Sequence, residues 1–290
     1  GSLSVAATAG GGRVVPIASV IDNDSNSFSH LKGRRVGSGA FRALIVPGVV
    51  RVTGANDTRY RTALRIANGT ATPAQLQLVY GYVDLDLGGK TGEARVNVTI
   101  PPFGSLPLAQ SEDALAELFG QAGQTYGWIA IEGEVSKVAA AAAVSAQVDN
   151  ADPGKGRTAA QLAAIPSTGR EITSLGAPSV RFAGAEKSAM RRSNLVLVET
   201  AGAPATARVT LTDHLGTVIG AKEIGLRPFE YVQVNDLFGP TLFDVGDGPF
   251  SEMEVAASVT AGNGRVLSFV SSIVNASRNP EIYLLAPSGP

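Results

Sequence analysis

The sequence predicts an all-β protein: two tandem antiparallel β-sandwich domains, each with one short helical turn inserted. Three observations predict it. Apolar and polar residues alternate over short stretches, as in Val96-Asn-Val-Thr-Ile100, Leu64/Ile66, Leu76/Leu78, Ile129/Ile131 and Val209/Leu211. A period of two over four to eight residues marks a half-buried strand. Breakers are frequent and spread along the chain, with 34 Gly and 16 Pro among 290 residues, as many short strands and turns require. The third observation is an internal repeat, and a repeat decides domain organisation before any other signal does.

The repeat is legible residue by residue. Tyr60-Arg-Thr-Ala-Leu-Arg-Ile-Ala-Asn-Gly-Thr-Ala-Thr-Pro-Ala74 lines up with Arg191-Arg-Ser-Asn-Leu-Val-Leu-Val-Glu-Thr-Ala-Gly-Ala-Pro-Ala205. Leu64 maps to Leu195 and Pro73 to Pro204 at one common offset. Upstream, Val50-Arg-Val-Thr-Gly54 matches Val180-Arg-Phe-Ala-Gly184. Downstream, Pro102-Phe103 matches Pro228-Phe229, and Leu118-Phe-Gly120 matches Leu237-Phe-Gly239. Order is kept while spacing drifts, which is what insertions in loops produce. The repeats are placed at 48–168 and 169–290.

A closing segment occurs three times. Pro16-Ile-Ala-Ser-Val-Ile-Asp-Asn23 resembles Ala143-Val-Ser-Ala-Gln-Val-Asp-Asn150 and Phe269-Val-Ser-Ser-Ile-Val-Asn-Ala276. Each precedes an apolar run ending in proline: Leu44-Ile-Val-Pro47, Ala163-Ala-Ile-Pro166 and Leu284-Leu-Ala-Pro287. One copy is surplus to the two bodies. Residues 1–47 are therefore read as an extra closing hairpin packed on the first domain. Its alternative is self-association through residues 13–47, by strand addition to a neighbour's sheet edge.

Two stretches depart from alternation. Ser111-Glu-Asp-Ala-Leu-Ala-Glu-Leu-Phe119 carries a cap residue, acidic residues in its first turn and apolar residues at helical spacing. Asn235-Asp-Leu-Phe-Gly239 is its shorter counterpart, so each domain is expected to hold one helical turn as a plug. The run Val138-Ala-Ala-Ala-Ala-Ala-Val144 favours helix by alanine content. Its copy in Arg265-Val-Leu-Ser-Phe-Val-Ser-Ser-Ile273 favours strand, and the copy is followed. Asp213-His-Leu-Gly216 reads as a hairpin turn.

Composition narrows the function. The net charge is −1, without the basic surplus that a nucleic-acid footprint needs. There is no cysteine, so disulfides, thiolate nucleophiles and zinc–thiolate sites are excluded. His30 and His214 are the two histidines, leaving the commonest general base nearly absent. The longest apolar run, Val138 to Val144, falls far short of the ~20 residues of a membrane-spanning helix. No enzyme activity is expected. Gly1-Ser2 reads as a cloning scar followed by small residues, so the chain is expected to be a mature fragment of something longer.

The order of motifs resembles the tandem all-β repeats of large secreted or surface proteins of soil and sediment bacteria. It runs from an Arg-rich strand start (Tyr60-Arg-Thr, Arg191-Arg-Ser) through Thr-x-Pro-Ala or Ala-x-Pro-Ala. A Pro-Pro-Phe-Gly-Ser or Arg-Pro-Phe-Glu turn follows, then an Asp-x-Leu-Phe-Gly-like turn and a hairpin ending in Ile-Pro. The resemblance covers residues 43–290. It implies a secreted, extracellular or cell-surface location and no named chemistry, and carries no catalytic residues across.

Each candidate site also has a plainer reading. Asp22, Asp24 and Asn26 put oxygens at the first, third and fifth positions of a calcium loop, and calcium is the one cofactor that the sequence suggests. Ser27 replaces the glycine and Gly33 the glutamate, so a polar turn is the better reading. Asp84 and Asp86 read as the wet face of a strand. Gly89-Lys-Thr91 and Gly154-Lys-Gly-Arg157 lack the rest of a phosphate loop. His214 beside Asp213 sits in a turn, without a buried orienting carboxylate. Glu132/Glu134 and Glu252/Glu254 are i, i+2 pairs, about 7 Å apart on one strand face, a spacing glycosidases use but solubilising acids share. The sequons at Asn56, Asn68, Asn97 and Asn275 matter only in a eukaryotic secretory pathway.

The remaining candidate is a sugar platform. With Ile129 and Ile131 inward, Trp128 and Ala130 should point outward, and Trp128 beside Tyr126 would offer a flat apolar surface to a sugar ring. The expected role is thus a non-enzymatic structural or adhesive module. Its alternative is carbohydrate binding through Trp128 and Tyr126, with an unknown surface protein or polysaccharide as partner.

Overall fold

The computed structural model describes residues 17–21, 28–32, 42–54, 57–106, 113–148, 157–246, 248–274, 282–284 and 287–288. Strands dominate and all their pairings are antiparallel. The chain divides into two compact units, Gly1–Ser167 and Thr168–Pro290. Among the described residues no helix is long and apolar enough to cross a membrane.

In the first unit, β1 (Ile17–Ile21) and β2 (Phe28–Lys32) form a hairpin of their own. Then come β3 (Ala43–Thr53), β4 (Thr58–Asn68), β5 (Ala74–Asp84), β6 (Lys90–Ile100), β7 (Thr125–Gly133), β8 (Val138–Val148), β9 (Arg157–Ala163) and β10 (Ile165–Pro166). The ladder runs β6-β5-β7-β3-β4-β8-β9, with β10 paired to β3. β3 pairs with β7 from Ala43 to Arg51, and only Val52 and Thr53 pair with β4, so the ladder turns over at that point. Leu44, Val46, Leu78, Tyr80, Ile129 and Ile131 on one side and Leu64, Ile66, Val138 and Ala142 on the other are buried. The sequence boundary at 47/48 falls inside β3.

The second unit holds β11 (Ile172–Ser174), β12 (Val180–Lys187), β13 (Arg191–Glu199), β14 (Ala205–Thr212), β15 (Val218–Leu226), β16 (Tyr231–Val234), β17 (Phe250–Gly262), β18 (Arg265–Val274), β19 (Ile282–Leu284) and β20 (Pro287–Ser288). The ladder runs β15-β14-β17-β12-β13-β18-β11, with β16 on β13, β19 on β18 and β20 on β12. β12 and β13 join through the single pair Lys187–Arg192. One buried cluster draws Phe182, Val209 and Val255 from β12, β14 and β17, and Leu197, Val266 and Val270 from β13 and β18. Both stretches of this ladder therefore contribute to one buried hydrocarbon cluster. The alanine-rich run is strand β8, as its copy indicated.

The plug at 111–119 is a helix, α1 (Ala114–Phe119). Asp113 caps it through Oδ1, which accepts from Ala116 N at 3.2 Å, and Gly120 ends it at φ 65°. Asp113 Oδ2 accepts from Arg51 Nε at 2.9 Å and Arg61 Nε at 3.1 Å, so the cap also ties the helix to β3 and β4. Leu115 is fully buried beneath it. The expected counterpart at Asn235–Gly239 is not a helix. Asp236 takes φ 55° and Pro240 follows at once, which stops the chain winding beyond isolated turns. Leu237 and Phe238 are nevertheless fully buried, so the plug survives without the helix.

Both units bend after the strand before the plug through the same turn. Gly104 N–H bonds to Pro101 O at 3.0 Å, and Glu230 N–H to Arg227 O at 3.1 Å. Pro102 and Pro228 sit second, and Phe103 and Phe229 third, at φ 53° and 59°. A type II turn wants glycine at that third position. Phe103 is 70% exposed, so its ring contributes little burial in exchange for the left-handed backbone. Phe103→Gly is expected to leave stability unchanged or raise it by up to about 1 kcal/mol, measured as a urea midpoint.

Candidate functional site

One groove on the second unit is lined mainly by polar groups. β12, β17 and β14 lie side by side, with Arg181 opposite Ala256 and Thr210 opposite Ala256 on the other flank. The alternate residues of these strands face away from the core, so Arg181, Glu254, Ala256, Ser258, Thr210 and Thr212 share one face. The hairpin turn at Asp213–Gly216 and Val218 close one end of the groove, and Ser179 lines it too. Arg181 Nη1 donates to Glu254 Oε1 at 2.6 Å. The small side chains of Ala256 and Ser258 leave the floor open.

The turn at the groove's end is built by Asp213. Its Oδ1 accepts backbone N–H groups of Leu215 at 2.9 Å and Thr217 at 2.8 Å, and its own N–H bonds to Thr217 O. Thr217's N–H, with Leu215's and His214 nearby, holds the Asp213 carboxyl below its ordinary pKa. Both of these turn bonds fall on Oδ1. Chemically the groove presents hydroxyls, one ion pair and an imidazole, a set suited to hydrogen-bonding a polar chain.

The sugar platform of the sequence reading does not stand open. Trp128 is 2% exposed and Ala130 5%, and Tyr126 is half-buried. A Cβ placed on Gly81 would lie 2.7 Å from the Trp128 ring, so the indole lies across β5 in the space that glycine leaves. Ile45 and Val79, which pair with Ala130 from β3 and β5, are buried as well. This sheet is apolar on both faces, and alternation therefore did not assign outside and inside. The available signal was the unbroken apolar runs Leu44-Ile-Val-Pro47 and Trp128-Ile-Ala-Ile131, which suit a strand covered on both sides.

The other candidates disperse. Asp84 ends β5 and accepts from Leu87 N, whereas Asp86 lies in the turn beyond and bonds Gln124 through both carboxylate oxygens. They are not neighbours on one strand face. Glu134 is likewise off the strand of Glu132, because Gly133 breaks β7 at φ 96°. Glu134 bonds Lys137 Nζ at 2.6 Å and Gln75 N at 2.8 Å, and the Lys137 bond lowers its pKa. Glu252 and Glu254 do share β17, but Glu252 takes φ 57° and Glu254 pairs with Arg181. Gly89-Lys-Thr91 passes from a hairpin turn straight into β6, with no helix for a phosphate to cap. Asp22, Asp24 and Asn26, Gly154 to Gly156, Asn56 and Asn275 lie outside the described residues. So does the side chain of His30.

No family model matches the chain, and no curated protein sequence matches it. Among solved structures it is similar to one of infectious bursal disease virus, Gx strain, at 11% identity, covering 94% of this chain and 79% of that chain with a TM-score of 0.15. The VP2 subviral particle of the same virus gives 10% identity, 94% and 80% coverage and a TM-score of 0.15. Likenesses this slight bear on neither fold nor function.

Sequence reasoning missed the two polar anchors at matched positions. Glu199, the last residue of β13, is fully buried. Its Oε1 accepts from Ala201 N at 2.7 Å and Arg265 N at 3.0 Å, and its Oε2 from Gly202 N at 2.8 Å and Phe229 N at 3.0 Å. Asn68, the last residue of β4, is 3% exposed and works with both polarities, its Oδ1 accepting from Thr70 N at 2.9 Å and Thr70 Oγ1 at 2.8 Å. Its amide donates to Thr72 O at 2.7 Å, Pro101 O at 3.1 Å and Ile100 O at 3.3 Å. Both gather the loops at one end of their unit. The repeat had aligned the two residues, and an Asn-for-Glu exchange at a strand end was the available signal.

Proposed function

We propose that the chain is a non-enzymatic structural and adhesive module of an extracellular or cell-surface protein, built as two tandem copies of one β-sandwich. The observation that carries this reading is the strand order. Set β12 beside β3, and β15-β14-β17-β12-β13-β18 retraces β6-β5-β7-β3-β4-β8 strand for strand, with β20 and β10 on the same partner. The left-handed Phe103 and Phe229, and the buried Asn68 and Glu199, fall at matching places in that order. Duplicating a filled scaffold multiplies surface and span. On this reading the buried cluster, which among the described residues is hydrocarbon, serves as scaffold, and Glu199 and Asn68 serve the loops at its end.

Adhesion on this reading uses the groove over β12, β17 and β14, where hydroxyls and the Arg181–Glu254 pair meet a polysaccharide through hydrogen bonds. The test is retention of the purified chain on a panel of immobilised polysaccharides. An Ala256→Arg variant, which fills the groove floor, is expected to lose retention at least tenfold at unchanged melting temperature. Retention on no polysaccharide, or equal retention by the variant, sinks the adhesive part. An isolated 168–290 fragment that does not fold sinks the modular part.

A further inference from the structure

We propose that β6 is a self-pairing edge, through which two copies of the chain join into one continuous antiparallel sheet. Among the described residues β6 pairs with β5 alone and ends the ladder. It pairs over its whole length, Lys90 to Ile100, without a register shift, and contains no proline. A long, straight, unbroken edge of this kind presents a row of backbone groups ready for another strand. The matching edge of the second unit differs. The β14–β15 pairing carries a register shift between Leu211 and Thr212. Lys222 and Glu223 are consecutive there and so fall on opposite faces.

Charge selects the occupant. Thr91, Glu93, Arg95, Asn97 and Thr99 form the exposed outer row of β6, and Gly92, Ala94, Val96 and Val98 are only half-buried on the inner row. Two antiparallel copies related by a two-fold axis keep their faces matched only in registers that centre on a residue. Centred on Glu93 or on Arg95, the strands bring like charges directly opposite, which is destabilising. Centred on Ala94, Glu93 faces Arg95 of the second copy, and Arg95 faces Glu93 of the second copy. Thr91 then meets Asn97 of the second copy. On the inner row Gly92, over which the Tyr82 ring of β5 lies, meets Val96 of the second copy, so the half-exposed valine is set beside that ring. Within one copy Glu93 and Arg95 already lie 2.6 Å apart, so pairing turns one exposed contact into a four-charge cluster.

The register is testable because the chain has no cysteine. Ala94→Cys places the sole thiol opposite itself, with Cβ atoms about 4.5–5.5 Å apart before adjustment, near the span of a disulfide. Mild oxidation is expected to give a linked dimer with Ala94→Cys and none with Val96→Cys, whose thiols lie on opposite sides of the axis. By sedimentation over a concentration series, the wild-type mass is expected to double. Arg95→Glu is expected to stay a monomer, and the swap Glu93→Arg/Arg95→Glu to restore the dimer. All of these positions are exposed or half-buried, and circular dichroism checks that each variant folds. A wild type that remains monomeric at its solubility limit overturns the proposal, as does a dimer unaffected by Arg95→Glu. Equal linking of the two cysteine variants overturns the register.

Discussion

Glu199→Ala is expected to destabilise the second unit by about 4 kcal/mol and lower its melting temperature by roughly 15 °C. The carboxylate accepts four backbone N–H groups, from Ala201, Gly202, Phe229 and Arg265, at full burial. Alanine leaves all four donors without an acceptor, and each buried orphan costs on the order of 1–3 kcal/mol. The total falls short of that sum because removing the side chain also removes a buried charge, which is costly in itself. Glu199→Gln separates these effects. Its shape is conserved, yet one oxygen becomes an NH2 group facing two N–H donors. A loss of about 2–3 kcal/mol is expected, well above what an exposed Glu→Gln change costs. Differential scanning calorimetry of the full chain checks both. A Glu199→Ala transition within about 1 kcal/mol of wild type would contradict the four-donor geometry.

Trp128→Ala is expected to cost about 3–5 kcal/mol, the range for deleting a buried aromatic side chain. An exposed platform residue would cost almost nothing, so the measurement decides between the two placements. Trp128 is the single tryptophan of the chain, and its fluorescence reports this site alone. Its emission is expected to be blue-shifted and insensitive to iodide in the native state, moving to the red on unfolding. Native emission already at the unfolded position would contradict the 2% exposure. The slot that holds the ring depends on Gly81, where a Cβ would lie within 2.8 Å of three indole atoms.

The strands were legible because their signals are local. Val96-Asn-Val-Thr-Ile100 alternates and lies in β6, and the alanine run took the conformation of its copy. Helix α1 was legible from its acidic start and apolar spacing, although its cap is Asp113. Asn235–Gly239 misled because a shared Leu-Phe-Gly motif preserves what the plug buries, not how the backbone reaches it. Trp128 misled for a related reason. Alternation tells the two faces of a strand apart and says which is wet only when the other is dry. Ile45, Val79 and Ala130 make both faces dry here. Glu134 and Asp86 leave the strands that a constant period assumed, at Gly133 and at the turn after Asp84, whereas Glu252 and Glu254 do share β17.

By itself the sequence determined the all-β class, the hairpin turns and the alignment of Leu64 with Leu195. These follow from side-chain period, from the backbone freedom of Gly and Pro, and from order along one chain. Only the tertiary structure decided which polar side chains are buried and which apolar ones are covered twice. Glu199 meets donors 30 and 66 residues away along the chain, and Trp128 lies across a glycine on the neighbouring strand. No local period records such meetings, because burial is a property of the neighbours that the fold brings, not of the residue that they surround.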